Sequence, residues 1–302
     1  SQRCDDIFLY DDPREVIKYD NVYENKHVKI SWDREIGIIG WFDKVNGVEL
    51  FDNTSKVGAF MPIYELTKAK GQTTSDQFAV RALGRNMRGS NHEVFYPKIK
   101  DVKISEIGDV YGKITFDLEL EGIKVIRVVL KVYNEMNKVD VVVMMNKESE
   151  WNPESVFIAL PFALNNKKMD LFCEKTGAVI QVKKDQLLGT NCDYNLVQDG
   201  VGLLEDSYGI SISMPDSSLI YTSKLQYENA KKLYHKDYTN PKEYELYSWV
   251  MNNIWETNFK ASLGGFIEFN YSVTWENNIN NKYELASNNN EMNIGFVNYR
   301  ID

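Results

Sequence analysis

Apolar residues along this chain recur almost everywhere with a period of two, the spacing of a strand with one face on a core and one on water. Ile267, Phe269, Tyr271, Val273 and Trp275 alternate with Glu268, Asn270, Ser272 and Thr274. Ile114, Phe116, Leu118 and Leu120 alternate with Thr115, Asp117 and Glu119. Glu121-Gly122 then supplies a tight turn into a run from Ile123 to Tyr133. Within that run the apolar parity changes between Val125 and Ile126, which predicts a β-bulge. A turn over Asn134–Lys138 leads into Val139–Met145 and completes a three-strand meander.

Weaker alternation predicts strands over His27–Trp32, Ile36–Phe42, Ala59–Leu66, Val94–Ile104 and Ser155–Leu164. Others fit Ala178–Val182, Tyr208–Met214, Leu219–Leu225 and Tyr244–Met251. Asn46-Gly47, between Phe42 and Val48, is a hairpin signal because both residues tolerate positive φ. Helix is scarce: Asp12-Pro13 can open a single turn, and Tyr227, Ala230 and Tyr234 keep helical spacing only briefly. So many strands with so little helix predict an all-β fold, a large antiparallel sandwich or a barrel. The Asn-rich stretch 277–290 reads as a long surface connection before a last strand, Met292–Tyr299. Residues 1–21 read as an N-terminal connecting segment and 22–302 as one β domain.

Composition narrows the function classes. A chain of 302 residues, 43% of them hydrophobic, can bury a core without disulfide or metal staples. The net charge of −9 would repel phosphate backbones, so nucleic acid is not an expected partner. No apolar run approaches the roughly 18 residues of a membrane helix, so no membrane partner is expected. Cys4, Cys173 and Cys192 are odd in number and lack CxxC spacing, which fits a reducing compartment and predicts a cytoplasmic protein. The chain opens on Ser1 with no charged-then-apolar leader, and the expectation is a piece of a longer protein.

Candidate chemistry is sparse. His27, His92 and His235 lie far apart and in no metal-ligand spacing, and His92-Glu93, neighbours on a strand, read as two independent surface residues. There is no GxSxG, and the cysteines fit buried hydrophobes as well as reactive thiols. Asp185 and Asp193 flank a Gly-containing loop with Gln186 and Asn191. These acids and amides can hydrogen-bond sugar hydroxyls, or they can satisfy the loop's own backbone as Asx turns. Arg81, Arg85 and Arg88 lie in a Gly-punctuated stretch that reads as a solvated loop, though Arg forks also suit carboxylates. The sequons at Asn53 and Asn270 read as chance matches in an Asn-rich chain.

Three stretches, in order, resemble the C-terminal half of family 38 glycoside hydrolases, the retaining α-mannosidases. The first runs from Glu24-Asn25 through Asp43-Lys44 and Asn46-Gly47 to Glu49-Leu50. The second holds Gly177-Ala178-Val179-Ile180, Asp185-Gln186-Leu187, Gly189, Asp193, Val197-Gln198 and Tyr208-Gly209-Ile210. The third, the most specific, is Asn252-Asn253-Ile254-Trp255-Glu256-Thr257-Asn258-Phe259, followed by Gly264-Gly265 and Phe269-x-Tyr271. Leu188 stands where the family usually has Pro, Tyr194 where it has Trp, and Asp199-Gly200 where it has Arg-Trp. These departures mark a divergent relative whose substrate need not be a mannoside.

The resemblance implies a large antiparallel sandwich of the galactose-mutarotase-like supersandwich type. It also implies that the zinc ion and the aspartate nucleophile belong to an N-terminal catalytic domain of the same parent protein, whose His-x-Asp metal pair has no counterpart here. No cofactor or catalytic residue is then expected in this chain, only loops lent to a sugar pocket. The candidates are Asp185, Gln186, Asn191, Asp193, Asn252, Asn253, Trp255, Thr257 and Asn258, with Trp255 stacking on a sugar face. The alternative for the third stretch is a buried corner whose amides tie down backbone. Two other readings stay open. One is an aldose-1-epimerase-like enzyme, whose acid and base would have to come from His92, Glu93 and His235. The other is a free-standing carbohydrate-binding module.

Overall fold

The computed structural model describes residues 16–17, 21–68, 91–106, 109–225, 240–253 and 262–295. Its strands are β1 (Val16–Ile17), β2 (Val22–Glu24), β3 (Val28–Asp33), β4 (Gly37–Asp43), β5 (Val48–Glu49), β6 (Pro62–Lys68) and β7 (Asn91–Phe95). Then come β8 (Lys98–Glu106), β9 (Tyr111–Leu120), β10 (Ile123–Tyr133), β11 (Lys138–Lys147), β12 (Glu154–Ala159), β13 (Asp170–Lys175) and β14 (Ala178–Gln181). The last are β15 (Tyr194–Leu196), β16 (Gly200–Glu205), β17 (Tyr208–Ser213), β18 (Leu219–Tyr221), β19 (Tyr247–Asn252) and β20 (Gly265–Glu276). Among the described residues one helix, α1 (Lys282–Ile294), follows β20.

The predicted meander is present. In β9 burial alternates strictly, with Ile114, Phe116, Leu118 and Leu120 inward, and Gly122 makes the turn into β10 at φ 72°. The register of β10 slips after Ile123 against both neighbours, the bulge that the parity change predicted. Every pairing is antiparallel, and β1-β8-β9-β10-β11-β20-β17-β16-β13-β14 form one ten-stranded sheet.

Two smaller sheets face it, β15-β18-β19-β12-β6-β7 and β2-β3-β4-β5. Trp32 of β3 meets Phe116 of β9 edge-on at 5.4 Å, and Trp41 of β4 meets Trp275 of β20 at 6.0 Å. On the six-stranded side, the Tyr271 hydroxyl of β20 donates to Ser248 Oγ of β19 at 3.0 Å. Isolated backbone bridges Ile38–Ala59 and Phe51–Phe162 tie the four-stranded sheet to the segments just before β6 and just after β12. The protein is therefore an all-β supersandwich, with its core between these layers. Val16–Ile17, inside the segment expected only to connect, pairs with β8.

Three departures from the sequence reading have physical causes. The strand expected over Val94–Ile104 is two strands in different layers, because the chain turns at Tyr96-Pro97 and Pro97 can give no ladder hydrogen bond. β16 was not foreseen because it does not alternate: Gly200–Gly202 and Leu203 are buried on both faces. What covers its outer face is α1, where a surface connection was expected. Asn281 caps the helix by accepting the Tyr283 N–H at 2.9 Å, and Gly295 ends it at φ 68°. Leu285 and Ala286 are buried against the sheet, and Asn289 Nδ2 donates to the Val201 carbonyl at 3.1 Å. Met292–Ile294 complete the helix instead of opening a strand, and residues 296–302 lie outside the described residues. The short helical turn at Asp12-Pro13 and the Tyr227–Tyr234 spacing lie outside them as well.

Candidate functional site

The loop after β14 uses its polar side chains on itself. Asp185 Oδ2 accepts the Gln181 N–H at 2.8 Å and faces Lys282 Nζ at 3.5 Å. That backbone hydrogen bond, helped by the lysine, holds the Asp185 carboxyl below its ordinary range. Gln186 Oε1 accepts the Lys183 N–H at 2.9 Å, and its amide donates to Asn195 Oδ1 at 3.0 Å. Asn191 Oδ1 accepts the Asp193 N–H at 2.7 Å, and Asp193 is wholly buried. Asn253 Oδ1 accepts the Glu154 N–H at 2.6 Å, while its amide reaches the Asn152 carbonyl at 3.2 Å.

Asn252 ends β19 half-buried, and Trp255, Thr257 and Asn258 lie outside the described residues, as do Arg81, Arg85, Arg88 and His235. The described members of the two groups do not meet. The Asp193 carbonyl accepts the Thr222 N–H beyond Tyr221, which pairs with the first residue of β19, whereas Asn252 and Asn253 stand at the far end of that strand. Five strand steps separate the ends, about 17 Å.

His92 and Glu93 are not the independent surface pair expected. His92 sits opposite Thr67 across the β6–β7 ladder, with Thr67 Oγ1 3.1 Å from its Nδ1. Its Nε2 lies 3.6 Å from Glu65 Oε1, with both side chains at most 4% exposed. The pairing depends on strand register between distant segments, so Glu65 gave no signal in the sequence. Phe157, Tyr221, Tyr247 and Trp249 gather on the same outward face of the six-stranded sheet, Phe157 and Trp249 stacked at 5.3 Å. This face is aromatic, acidic and closed.

An open cleft of about 1010 Å³ lies at the end of that sheet where β12 and β18 finish and β19 begins. It is lined from separate stretches by Asp52, residues 54–57, Tyr96, Ala159, Pro161, Lys168, Lys183, residues 223–225, Asn240 and residues 242–247. Asp52 Oδ2 pairs with Lys168 Nζ at 2.7 Å, and the same ammonium lies over the Tyr244 ring at 5.1 Å. Burial pushes the Asp52 carboxyl up, but Lys168 and Thr54 outweigh it and hold it below its ordinary value. Lys183 Nζ donates to the carbonyls of Glu243 and Thr222 at 2.7 and 3.1 Å. The Tyr247 hydroxyl donates to Glu245 at 2.7 Å. None of the candidate residues that the structure describes lines this cleft; its described lining is assembled from loops that carry no motif.

The described residues do not suit a metal. His27 is engaged by Asn137 at 2.9 Å and His92 by Thr67 and Glu65, and no three His, Cys, Asp or Glu among the described residues converge on one point. Cys173 and Cys192 are buried, and burial pushes the Cys173 thiol up to about 11, the mark of an inert sulfur. No helix among the described residues is long and apolar enough to cross a membrane.

No protein-family model and no curated protein matches the sequence. Among solved structures, an alpha-mannosidase from Enterococcus faecalis V583 superposes with a TM-score of 0.60 at 8% identity, covering 94% of this chain and 32% of its own. A protein in the glycosyl hydrolase family 38 from Enterococcus faecalis gives the same score and identity over 33% of its length. This chain therefore spans about a third of those proteins, and it resembles one domain of family 38 in fold. A galactose mutarotase related enzyme from Lactobacillus acidophilus covers 87% of this chain and 99% of its own at 12% identity, but with a TM-score of 0.45 that likeness is too loose to carry weight.

Proposed function

We propose that this chain is the β-sandwich part of a glycoside hydrolase resembling the α-mannosidases, packing on a catalytic domain of the same parent protein and lending loops to its sugar pocket. The observation that carries the reading is the coverage: nearly all of this chain, and a third of the α-mannosidase, share one fold. Exposed leucines support a docking role. Leu187 and Leu188 are 81% and 98% exposed on the loop after β14, and Leu196 on edge strand β15 is 65% exposed. In this reading the zinc and the nucleophile are supplied outside the described residues, which offer no donor set for the metal, and the chain alone does not hydrolyse sugars.

The test pairs this chain with the full gene product that contains it, both assayed on p-nitrophenyl α-mannoside with and without chelator. The expected outcome is turnover by the longer protein only, abolished by chelation. Turnover by the chain alone, or a gene product no longer than these residues, would overturn the reading.

The Glu65–His92 pair gives the epimerase alternative an acid and a base on one sheet face. Both side chains are sealed from solvent, so a substrate has no path to them in this conformation, and the first reading stands ahead.

A further inference from the structure

The cleft beside β19 carries the wrong sign for this protein. The chain as a whole is acidic at −9, yet among the described residues five lysines line the cleft against three carboxylates, Asp52, Glu243 and Glu245. Internal pairing accounts for only part of the excess. Lys168 is neutralised by Asp52, and Lys242 by Glu205 with Asp170 near, neither of which lines the cleft. Lys183 is held by two backbone carbonyls. Lys56 and Lys224 are exposed, come from different loops, and have no ion-pair partner among the described residues. Like charges gathered in a concave wall repel one another and focus a positive field into it, an arrangement relieved by a bound anion.

The rest of the lining suits a sugar. Tyr96, 49% exposed, lines the cleft with a ring able to lie against the apolar face of a pyranose. Glu245, Ser223 and Asn240 offer hydroxyl-bonding groups between them. The volume, about 1010 Å³, is at the upper end of small-ligand sites and holds more than a single ring.

We infer that this cleft binds an anionic carbohydrate, a sugar bearing a phosphate or a carboxylate, with Lys56 and Lys224 receiving the anion and Tyr96 flanking the ring. The inference rests on the glycoside hydrolase reading for its sugar, and on the lysines for its charge. It concerns recognition only; no bond is made or broken in the cleft.

The experiment is calorimetric titration of this chain with mannose 6-phosphate, glucuronate, neutral mannose and inorganic phosphate, repeated with the Lys56→Gln/Lys224→Gln double variant. At least one anionic sugar is expected to bind ten-fold or more tightly than mannose, and more tightly than phosphate alone. The double variant should lose about ten-fold of that affinity and retain the parent melting temperature, since both side chains are exposed. The two acid arms separate phosphate from carboxylate as the preferred group. Equal binding of mannose, binding of phosphate as tight as that of the sugar phosphate, no binding by either anionic sugar, or affinity unchanged in the variant would each overturn the inference. The α-mannoside assay of the gene product reads the glycosidase proposal separately, because its aryl substrate is neutral.

Discussion

Lys147 is the residue whose position is most at odds with its chemistry. It continues the inward parity of Val139, Val141, Val143 and Met145, so β11 drives an ammonium into the core with no side-chain exposure. There it pairs with Glu154 at 2.5 Å, donates to the Glu148 carbonyl at 2.7 Å and lies over the Tyr64 ring at 5.3 Å. The Tyr64 hydroxyl completes the cluster by donating to Glu154 at 2.7 Å. Burial pushes the Glu154 carboxyl up while Lys147 and Tyr64 pull it down, and burial prevails. Breaking such a pair from one side strands a buried charge. Lys147→Met should therefore cost about 3–5 kcal/mol in chemical denaturation, whereas Lys147→Met with Glu154→Leu should come within about 1–2 kcal/mol of the parent. Equal losses in both variants would show that the charge plays no part. The pair is legible in principle, because parity alone aims Lys147 inward. The sequence reading ended that strand at Met145 and so passed over it.

At the scale of elements, the strands most legible in advance are those with one wet face, whereas a strand such as β16, dry over most of its length, offers no alternation to read. β9, β10, β11 and β20 alternate and could be placed from their residues alone. β16 is buried over Gly200–Leu203, which erases the period, and the cover responsible comes from a helix more than seventy residues further on. That helix was illegible for a related reason. Asn is a weak helix former, and α1 owes its existence to its seat on the sheet more than to propensity. The seat is tight: a Cβ built on Gly202 would lie 2.7 Å from Leu285 Cβ. Gly202→Val should lift the helix, lowering stability by about 1–3 kcal/mol and raising amide exchange over Lys282–Ile294. Unchanged exchange there would mean that the helix does not rely on this contact.

At the scale of the whole molecule, the cleft and the exposed leucines are neighbours along the chain, since the loop carrying Leu187 and Leu188 begins next to Lys183. A domain seated on those leucines would stand beside the cleft and could share its ligand. Leu188→Asp should leave the melting temperature of this chain unchanged, the side chain being 98% exposed, while reducing the α-mannoside activity of the gene product several-fold. Full activity with the aspartate in place would exclude the loop from the interface. Neither feature could be found by motif. The third stretch, which carried the family resemblance best, uses its Asn253 to hold the Glu154 backbone, and the cleft draws on loops whose lysines look ordinary in the sequence.

β20 has one more consequence, which concerns the order of synthesis. It lies in the middle of the ten-stranded sheet, between β11 and β17, yet it is the last of the described strands to leave the ribosome. Until it does, the nascent chain holds two half-sheets with open inner edges, bare ladders that invite pairing with other chains. The large sheet therefore closes only late, when Gly265–Glu276 enters between β11 and β17 and the helix behind it can settle on β16.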